Sequence, residues 1–146
     1  MIIDFRKIAR SGKTEENFYF EYVPKEGLLS FPDAEIVSPV KVEGTITLTG
    51  KHSAYLDGEI CFTIKGNCTR CLTETEQTFV SEIVEEFDAE DEYSYPVKND
   101  TVDLSTVVED KIIMTAPVTF LCKEDCKGIC YVCGKNLNEG DCQCEK

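Results

Sequence analysis

One histidine, His52, is all the imidazole this chain has. That scarcity removes the usual nucleophile–base pair of hydrolytic and acyl-transfer enzymes, and Gly50 to Ser53 around it read as a turn, so His52 is expected to be an exposed turn residue. No glycine-rich phosphate loop is present. Apolar runs never exceed a few residues, too short for a membrane span. Repeats and low-complexity tracts are absent too. Met1 to Ile8 carries charge from its fourth residue and has no apolar core, so no export signal is read there, and a cytoplasmic protein with reduced thiols is expected. Positive charge is the last shortage: 15 bases stand against 28 acids, for a formal charge of −13. Nucleic-acid affinity comes mostly from neutralising phosphates, so a basic protein is the more natural partner for this field. No small-molecule substrate is expected.

What the chain has in abundance is cysteine, and eight of the nine sit at metal-ligand spacing. Cys68-Thr69-Arg70-Cys71 is one C-x2-C pair. Cys130-Tyr131-Val132-Cys133-Gly134 is a second, and Cys122, Cys126, Cys142 and Cys144 crowd around it. A two-residue gap lets both thiolates of a tight turn face one ion, and a small residue after the second Cys lets the backbone fold back and donate N–H groups to sulfur. Zinc suits four soft thiolates in a closed, non-catalytic cage. An iron–sulfur cluster takes the same ligand set. A redox dithiol of the thioredoxin kind would need a βαβ unit around Cys68, and none is there. Cys61 stands apart in an alternating run and reads as a small hydrophobe in a strand.

The first two-thirds of the chain reads as β. Val40, Val42, Gly44, Ile46 and Leu48 alternate with polar residues, and so do Leu56, Gly58, Ile60, Phe62 and Ile64. Gly66-Asn67 is expected to break this second strand just before Cys68, which puts the first C-x2-C on a strand-to-strand connection. Phe79, Ile83 and Phe87 fit a helix by spacing, but the threonine-rich entry before them favours a strand. Ile2 to Ile8 and Phe18 to Val23 are expected strands, and residues 27–39, with two prolines, a loop with at most a short strand. Residues 91–101 read as a linker. Asp103 is placed to cap a helix from about Leu104 to Met114, ended by Pro117, with Glu109-Asp110 on its surface. Three glycines, Gly128, Gly134 and Gly140, allow tight turns in a tail too polar to hold itself together without metal. The expected fold is therefore α+β and mainly β: an antiparallel sheet or partly open barrel, one C-terminal helix and a cysteine-rich zinc-binding tail. Residues 1–117 form the β-rich domain with its helix, and 118–146 the tail packed on it.

This pattern resembles the YceD family, the large ribosomal RNA subunit accumulation proteins of bacteria and plastids. The carriers are Cys68-Thr69-Arg70-Cys71, Asp103-Leu104 through Ile112-Ile113 to Pro117, and the tail with Leu121-Cys122, Cys126-Lys127-Gly128-Ile129-Cys130, Cys133-Gly134, Asn136-Leu137-Asn138 and Cys142-x-Cys144. Tyr131 departs from the pattern, standing where proline is usual. The resemblance implies a part in accumulation of 23S ribosomal RNA and large-subunit assembly, in a family whose gene commonly neighbours that of a small, basic large-subunit ribosomal protein. It also implies how the cysteines divide. Some members lack the last four but keep the C-x2-C, with histidines near the positions of Cys122 and Cys126. One site would then be Cys68, Cys71, Cys122 and Cys126, and the other Cys130, Cys133, Cys142 and Cys144, for two zinc ions.

Two non-catalytic readings follow. In the first, acidic residues bind a basic ribosomal protein or a pre-ribosomal particle. The run from Glu82 to Glu92 holds seven acids and no base, and Glu85, Glu86, Glu90 and Glu92 are its candidate contacts; a solvated strand face running into a loop explains the same run without a partner. In the second, Arg70, Lys123, Lys127 and Lys135 with Tyr131 contact ribosomal RNA. Residues 122–146 carry four lysines against five acids, which favours the first. Four bases near the start, Arg6, Lys7, Arg10 and Lys13, are too few for an RNA site. Thiol redox sensing would need exposed reactive thiolates, which zinc would mask.

Overall fold

Two strands that each end in an aspartate organise one side of the molecule. The computed structural model describes residues 1–30 and 33–144. Within them, β1 (Ile2–Asp4) runs into α1 (Phe5–Arg10), and β6 (Thr101–Asp103) runs into α2 (Leu104–Thr115). The strands pair antiparallel, Ile3 opposite Val102. In both units the aspartate is the N-cap: Asp4 accepts from the Arg6 N–H and Asp103 from the Ser105 N–H, each at 2.9 Å, satisfying a donor that the first helical turn leaves free. The expected strand from Ile2 to Ile8 is thus corrected. After three residues Asp4 caps a helix, and Phe5 and Ile8, one turn apart, both become buried.

The larger sheet is antiparallel, in the order β2 (Glu15–Tyr22), β3 (Glu35–Leu48), β4 (Ser53–Asn67), β5 (Glu74–Asp88). It is not closed, so the open-sheet form of the expectation holds rather than a barrel. The alternating residues do as their period requires: Val40, Val42 and Ile46 of β3, Leu56, Ile60, Phe62 and Ile64 of β4, and Ile83 and Phe87 of β5 are all buried. They pack with Phe5 and Ile8 of α1, Leu104, Val107, Val108 and Ile112 of α2, and Phe120 of the tail in one core.

Three local expectations are corrected. Strand β3 begins at Glu35, inside the expected loop, because a bulge between Val37 and Lys41 absorbs Pro39, the place where a strand tolerates a residue with no N–H. Gly66 and Asn67 stay in the ladder, paired with Thr75 and Glu74; Gly66 is a close-packing position, where a Cβ would sit 3.2 Å from the Ala34 backbone. Glu109 is not on the helix surface. It is buried, accepts the Tyr22 hydroxyl proton and faces the Lys25 ammonium at 3.5 Å. Burial, and then this hydrogen bond, push the Tyr22 phenol up to about 12, so the neutral tyrosine remains the donor that ties β2 to α2.

Gly44 and Gly58 face each other across β3 and β4. A Cβ on Gly58 would lie 2.5 Å from the Glu43 carbonyl oxygen, and one on Gly44 would lie 2.4 Å from that of Asp57. Both approaches are to backbone, which cannot swing away. Gly58→Ala is therefore expected to lower stability by about 1–3 kcal/mol through overpacking, measured by denaturant titration. An unchanged midpoint would mean that the two strands are not held this closely.

Candidate metal centres

The β4–β5 turn and the tail each build the same backbone knuckle. In the turn, Cys68 N–H donates to the Thr73 carbonyl and Leu72 N–H to the Cys68 carbonyl, both at 2.9 Å. In the tail, Cys130 N–H donates to the Lys135 carbonyl at 2.9 Å and Gly134 N–H to the Cys130 carbonyl at 2.8 Å. The residue after each C-x2-C pair has positive φ: 75° for Gly134, where glycine adopts it freely, and 62° for Leu72, where a side chain makes it costly. The turn nonetheless keeps this conformation at Leu72, as the geometry that folds the backbone over sulfur requires.

The two knuckles gather the eight cysteines into the same two sets of four that the resemblance implied. Cys68, Cys71, Cys122 and Cys126 have their sulfur atoms within 4.8 Å of one another, and so do Cys130, Cys133, Cys142 and Cys144. In the first set, Cys68 and Cys126 sulfurs are 3.7 Å apart and those of Cys71 and Cys122 are 3.5 Å apart. A disulfide needs about 2.0 Å. A tetrahedron with metal–sulfur bonds of about 2.3 Å has edges of about 3.8 Å. The separations fit four ligands around one ion, and each cluster could hold one. The first is buried except for Cys122, which is half-buried; the second is more open, with Cys130 buried and Cys133 exposed. Cys61 lies outside both sets, half-buried on the outer sheet face opposite Val80.

Charge explains why a cation is wanted. Burial opposes ionisation of Cys68, but N–H groups of Cys71, Cys122 and Arg70 donate to its sulfur and bring its pKa down to about 6. N–H groups of Cys133 and Val132 bring Cys130 to about 6 as well. The last thiols of each set meet charge already present. Cys122 is pushed up to about 12 by burial and then by the sulfurs of Cys71, Cys126 and Cys68. Cys144 is pushed up to about 12 by Cys133 and then by burial. Four thiolates cannot coexist at this spacing on hydrogen bonds alone, whereas a divalent ion lets all four ionise.

Around the first cluster the tail is fastened to the sheet by residues the sequence reading did not single out. Thr69 N–H donates to the Phe120 carbonyl at 2.8 Å, and the Gln77 amide donates to the Leu121 carbonyl. Asn138, from between the last cysteines, donates its amide to the Cys126 sulfur at 3.3 Å. The signal was present in Asn136-Leu137-Asn138, but its partner lies twelve residues away and nothing local names it. Two of the cationic candidates also serve the tail: Arg70 donates to the Cys126 carbonyl at 3.1 Å and Lys135 to the Asp141 carbonyl at 3.0 Å. Lys123 and Lys127 are exposed, and Tyr131 at the second knuckle is 78% exposed. His52 is half-exposed in its turn and pairs with Asp100.

The acidic run does not form one surface. Glu85 lies half-buried on the inner side of β5, Glu86 is exposed on the outer side, and Glu90 and Glu92 are exposed in the turn beyond the strand. Register creates a different acidic patch. Glu43, Glu59 and Glu82 stand directly opposite one another on β3, β4 and β5, with Tyr19 of β2 at the end of the row. The adjoining rows add Glu21 and Asp57 against one base, Lys41. Exposed Tyr19, Val80 and Val84 lie on the same face.

The comparisons with known proteins fit this arrangement. The family model described as large ribosomal RNA subunit accumulation protein YceD matches residues 56–146. The large ribosomal RNA subunit accumulation protein YCED homolog 1, chloroplastic, of Arabidopsis thaliana is 35% identical over 57 residues, 39% of this chain and 18% of that protein. The maize (Zea mays) protein of the same name is 31% identical over 62 residues, 42% of this chain and 21% of its own length. Uncharacterized protein YlbN of Bacillus subtilis (strain 168) is 27% identical over 103 residues, 64% of this chain and 57% of the relative. The chain thus spans about a fifth of the plant relatives and little more than half of the bacterial one. No solved structure matches it significantly. No helix among the described residues is long and apolar enough to cross a membrane. With most of β4, all of β5 and α2, and both cysteine clusters inside the matched span, the chain belongs to the YceD family of large ribosomal RNA subunit accumulation proteins.

Proposed function

We propose that this protein is a non-catalytic, cytoplasmic factor in large-subunit biogenesis that carries two structural zinc ions and binds a basic ribosomal protein or pre-ribosomal particle through its acidic sheet face. The observation that carries the partner class is the row Glu43–Glu59–Glu82. Like charges directly opposite in a sheet are destabilising, and this row has three with no base among them. A cationic partner would relieve that repulsion. Tyr19, Val80 and Val84 on the same face supply apolar contact area. Zinc is supported by sulfur as the sole donor type and by separations near a tetrahedral edge. A closed four-thiolate ion has no open position for water, so the metal's role would be to hold the tail on the sheet. The second reading, direct contact with ribosomal RNA, is supported by exposed Tyr131 and the exposed side chain of Lys127, since base stacking needs an accessible aromatic.

The reduced, anaerobically purified protein is expected to carry about two zinc ions per chain, one for each set of four ligands, by elemental analysis. One ion or none would sink the two-site reading, and iron in their place would replace zinc by a cluster.

The two sites should matter differently to the fold. Cys68→Ser removes a ligand that joins the β4–β5 turn to the tail, so melting of the whole domain is expected to broaden and drop. Cys142→Ser is expected to loosen only the tail, with amide-exchange protection of β3 and β4 retained. Equal loss of sheet protection in both variants would contradict this division.

Pull-down from a bacterial lysate, with and without nuclease and at two salt concentrations, tests the partner. A basic large-subunit ribosomal protein is expected to survive nuclease and to fade at high salt, because exposed charges are screened within about 8–10 Å. Replacing Glu43, Glu59 and Glu82 with Gln should weaken capture while leaving zinc content alone. Tight binding to naked 23S RNA with a steep salt slope, lost in Lys123→Gln and Lys127→Gln, would establish the RNA reading instead. These two lysines are a cleaner probe than Arg70, which also holds the Cys126 carbonyl.

A further inference from the structure

Asn138 belongs by chain to one cysteine cluster and by contact to the other. It lies between Cys133 and Cys142, two residues of the tail cluster, yet its amide nitrogen donates to the Cys126 sulfur of the first cluster at 3.3 Å. Its remaining groups are all committed. The amide oxygen accepts from the Lys127 N–H at 2.9 Å, and the same amide nitrogen donates to the Asn136 side-chain oxygen at 2.9 Å. The backbone N–H of Asn138 donates to that oxygen at 3.0 Å. Oxygen toward the Lys127 N–H and nitrogen toward sulfur is the only amide orientation that satisfies every partner. Asn136 in turn reaches Thr73 of the β4–β5 turn at 3.3 Å, and Leu137 N–H donates to the Gly128 carbonyl at 2.9 Å. The turn 136–138 is therefore clamped between the two clusters.

We infer that Asn138 is a positioning residue that couples the clusters, so that metal held by Cys130, Cys133, Cys142 and Cys144 tightens metal binding by Cys68, Cys71, Cys122 and Cys126. The reason is mechanical and electrostatic. Metal at the tail cluster fixes both ends of the segment that carries Asn138. That holds an N–H donor on a metal-ligating sulfur, where it orients the ligand and withdraws charge from it, as outer-shell donors do at metal sites. By linkage the coupling is reciprocal: metal at the first cluster strengthens the second by the same factor.

This inference rests on the zinc reading of both clusters and fails separately from it. Zinc affinities of the full chain are measured by competition with a chromophoric chelator, for the wild type, for Asn138→Asp, for Cys142→Ser with Cys144→Ser, and for the three together. Asn138→Asp keeps an acceptor for the Lys127 N–H and removes the donor to sulfur. Each variant is expected to weaken zinc at the first cluster by about 10–100-fold, and the combination to cost little more than the larger of the two, because both break one linkage. In the cobalt-loaded protein, Asn138→Asp should also move the sulfur-to-metal charge-transfer band to lower energy, since a sulfur without its N–H donor gives up electrons more readily. A merely structural loosening of the tail would not shift that band. Thr73→Val removes only the hydroxyl that accepts from Asn136 and keeps the backbone carbonyl that accepts from Cys68; it controls for general disturbance and should leave the band in place. First-cluster affinity within about twofold of wild type in either variant, or effects that multiply in the combination, would overturn the coupling. Fewer than two zinc ions in the wild type would overturn the zinc reading itself.

Discussion

Four sulfur atoms drawn within 4.8 Å of one another cannot all bear charge unless a cation sits among them, and the rest of this structure is arranged around that constraint. The backbone supplies what it can: N–H groups of the two knuckles bring Cys68 and Cys130 to about 6. Peptide dipoles stop short of the last ligands, and Cys122 and Cys144 rise to about 12. A divalent ion would close the gap, and its binding energy would become folding energy for the chain that gathers the cysteines. Residues 121–144 have little else to hold them. Ile129, Tyr131 and Val132 are exposed, and among the described residues the helices and named strands all end before Ala116.

From the first cluster the constraint reaches the core. Its cysteines come from the β4–β5 turn and from the tail, so an ion held there would close a long loop that includes β5, the linker, β6 and α2. Closing a long loop restricts the unfolded chain more than closing a short one. Phe120, one of the largest fully buried side chains, lies two residues before Cys122. The Thr69 N–H bond to its carbonyl joins the knuckle to the apolar layer beneath α2. The tail cluster has no such reach. It is connected to the first knuckle by the Asn136 bond to Thr73 and the Asn138 bond to the Cys126 sulfur, which explains how a module so polar can still be seated.

Much of this was legible in the sequence, and what was not has physical causes. The eight clustered cysteines were readable because the spacing that thiolate coordination asks for is local, and the strands from Val40 to Phe87 because burial of one face dictates period two. Helix α2 was readable from Asp103 and the apolar residues after it. The six residues of α1 were not, since Ile3 and Phe5 alternate as in a strand while Phe5 and Ile8 are one helical turn apart, and only the Asp4 cap decides. The start of β3 was hidden by Pro39, whose disruptive effect the bulge absorbs. The buried Glu109 was hidden because its partners, Tyr22 and Lys25, come from the other end of the chain.

The acidic surface makes the same point about register. Along the sequence the conspicuous acids are Glu82 to Glu92, yet alternation sends Glu85 and Glu86 to opposite faces of β5 and the turn carries the rest away. Glu43, Glu59 and Glu82 are far apart in the chain and unremarkable one by one. Only the pairing of three strands sets them side by side. A sheet could relieve such a row with one lysine, as Lys41 does for Glu21 in the next row. That relief is missing from the Glu43–Glu59–Glu82 row itself, which has exposed Tyr19 at its end and exposed Val80 and Val84 in the rows beside it. Repulsion without internal compensation, beside uncovered apolar area, is the feature on which the proposal of a basic partner rests.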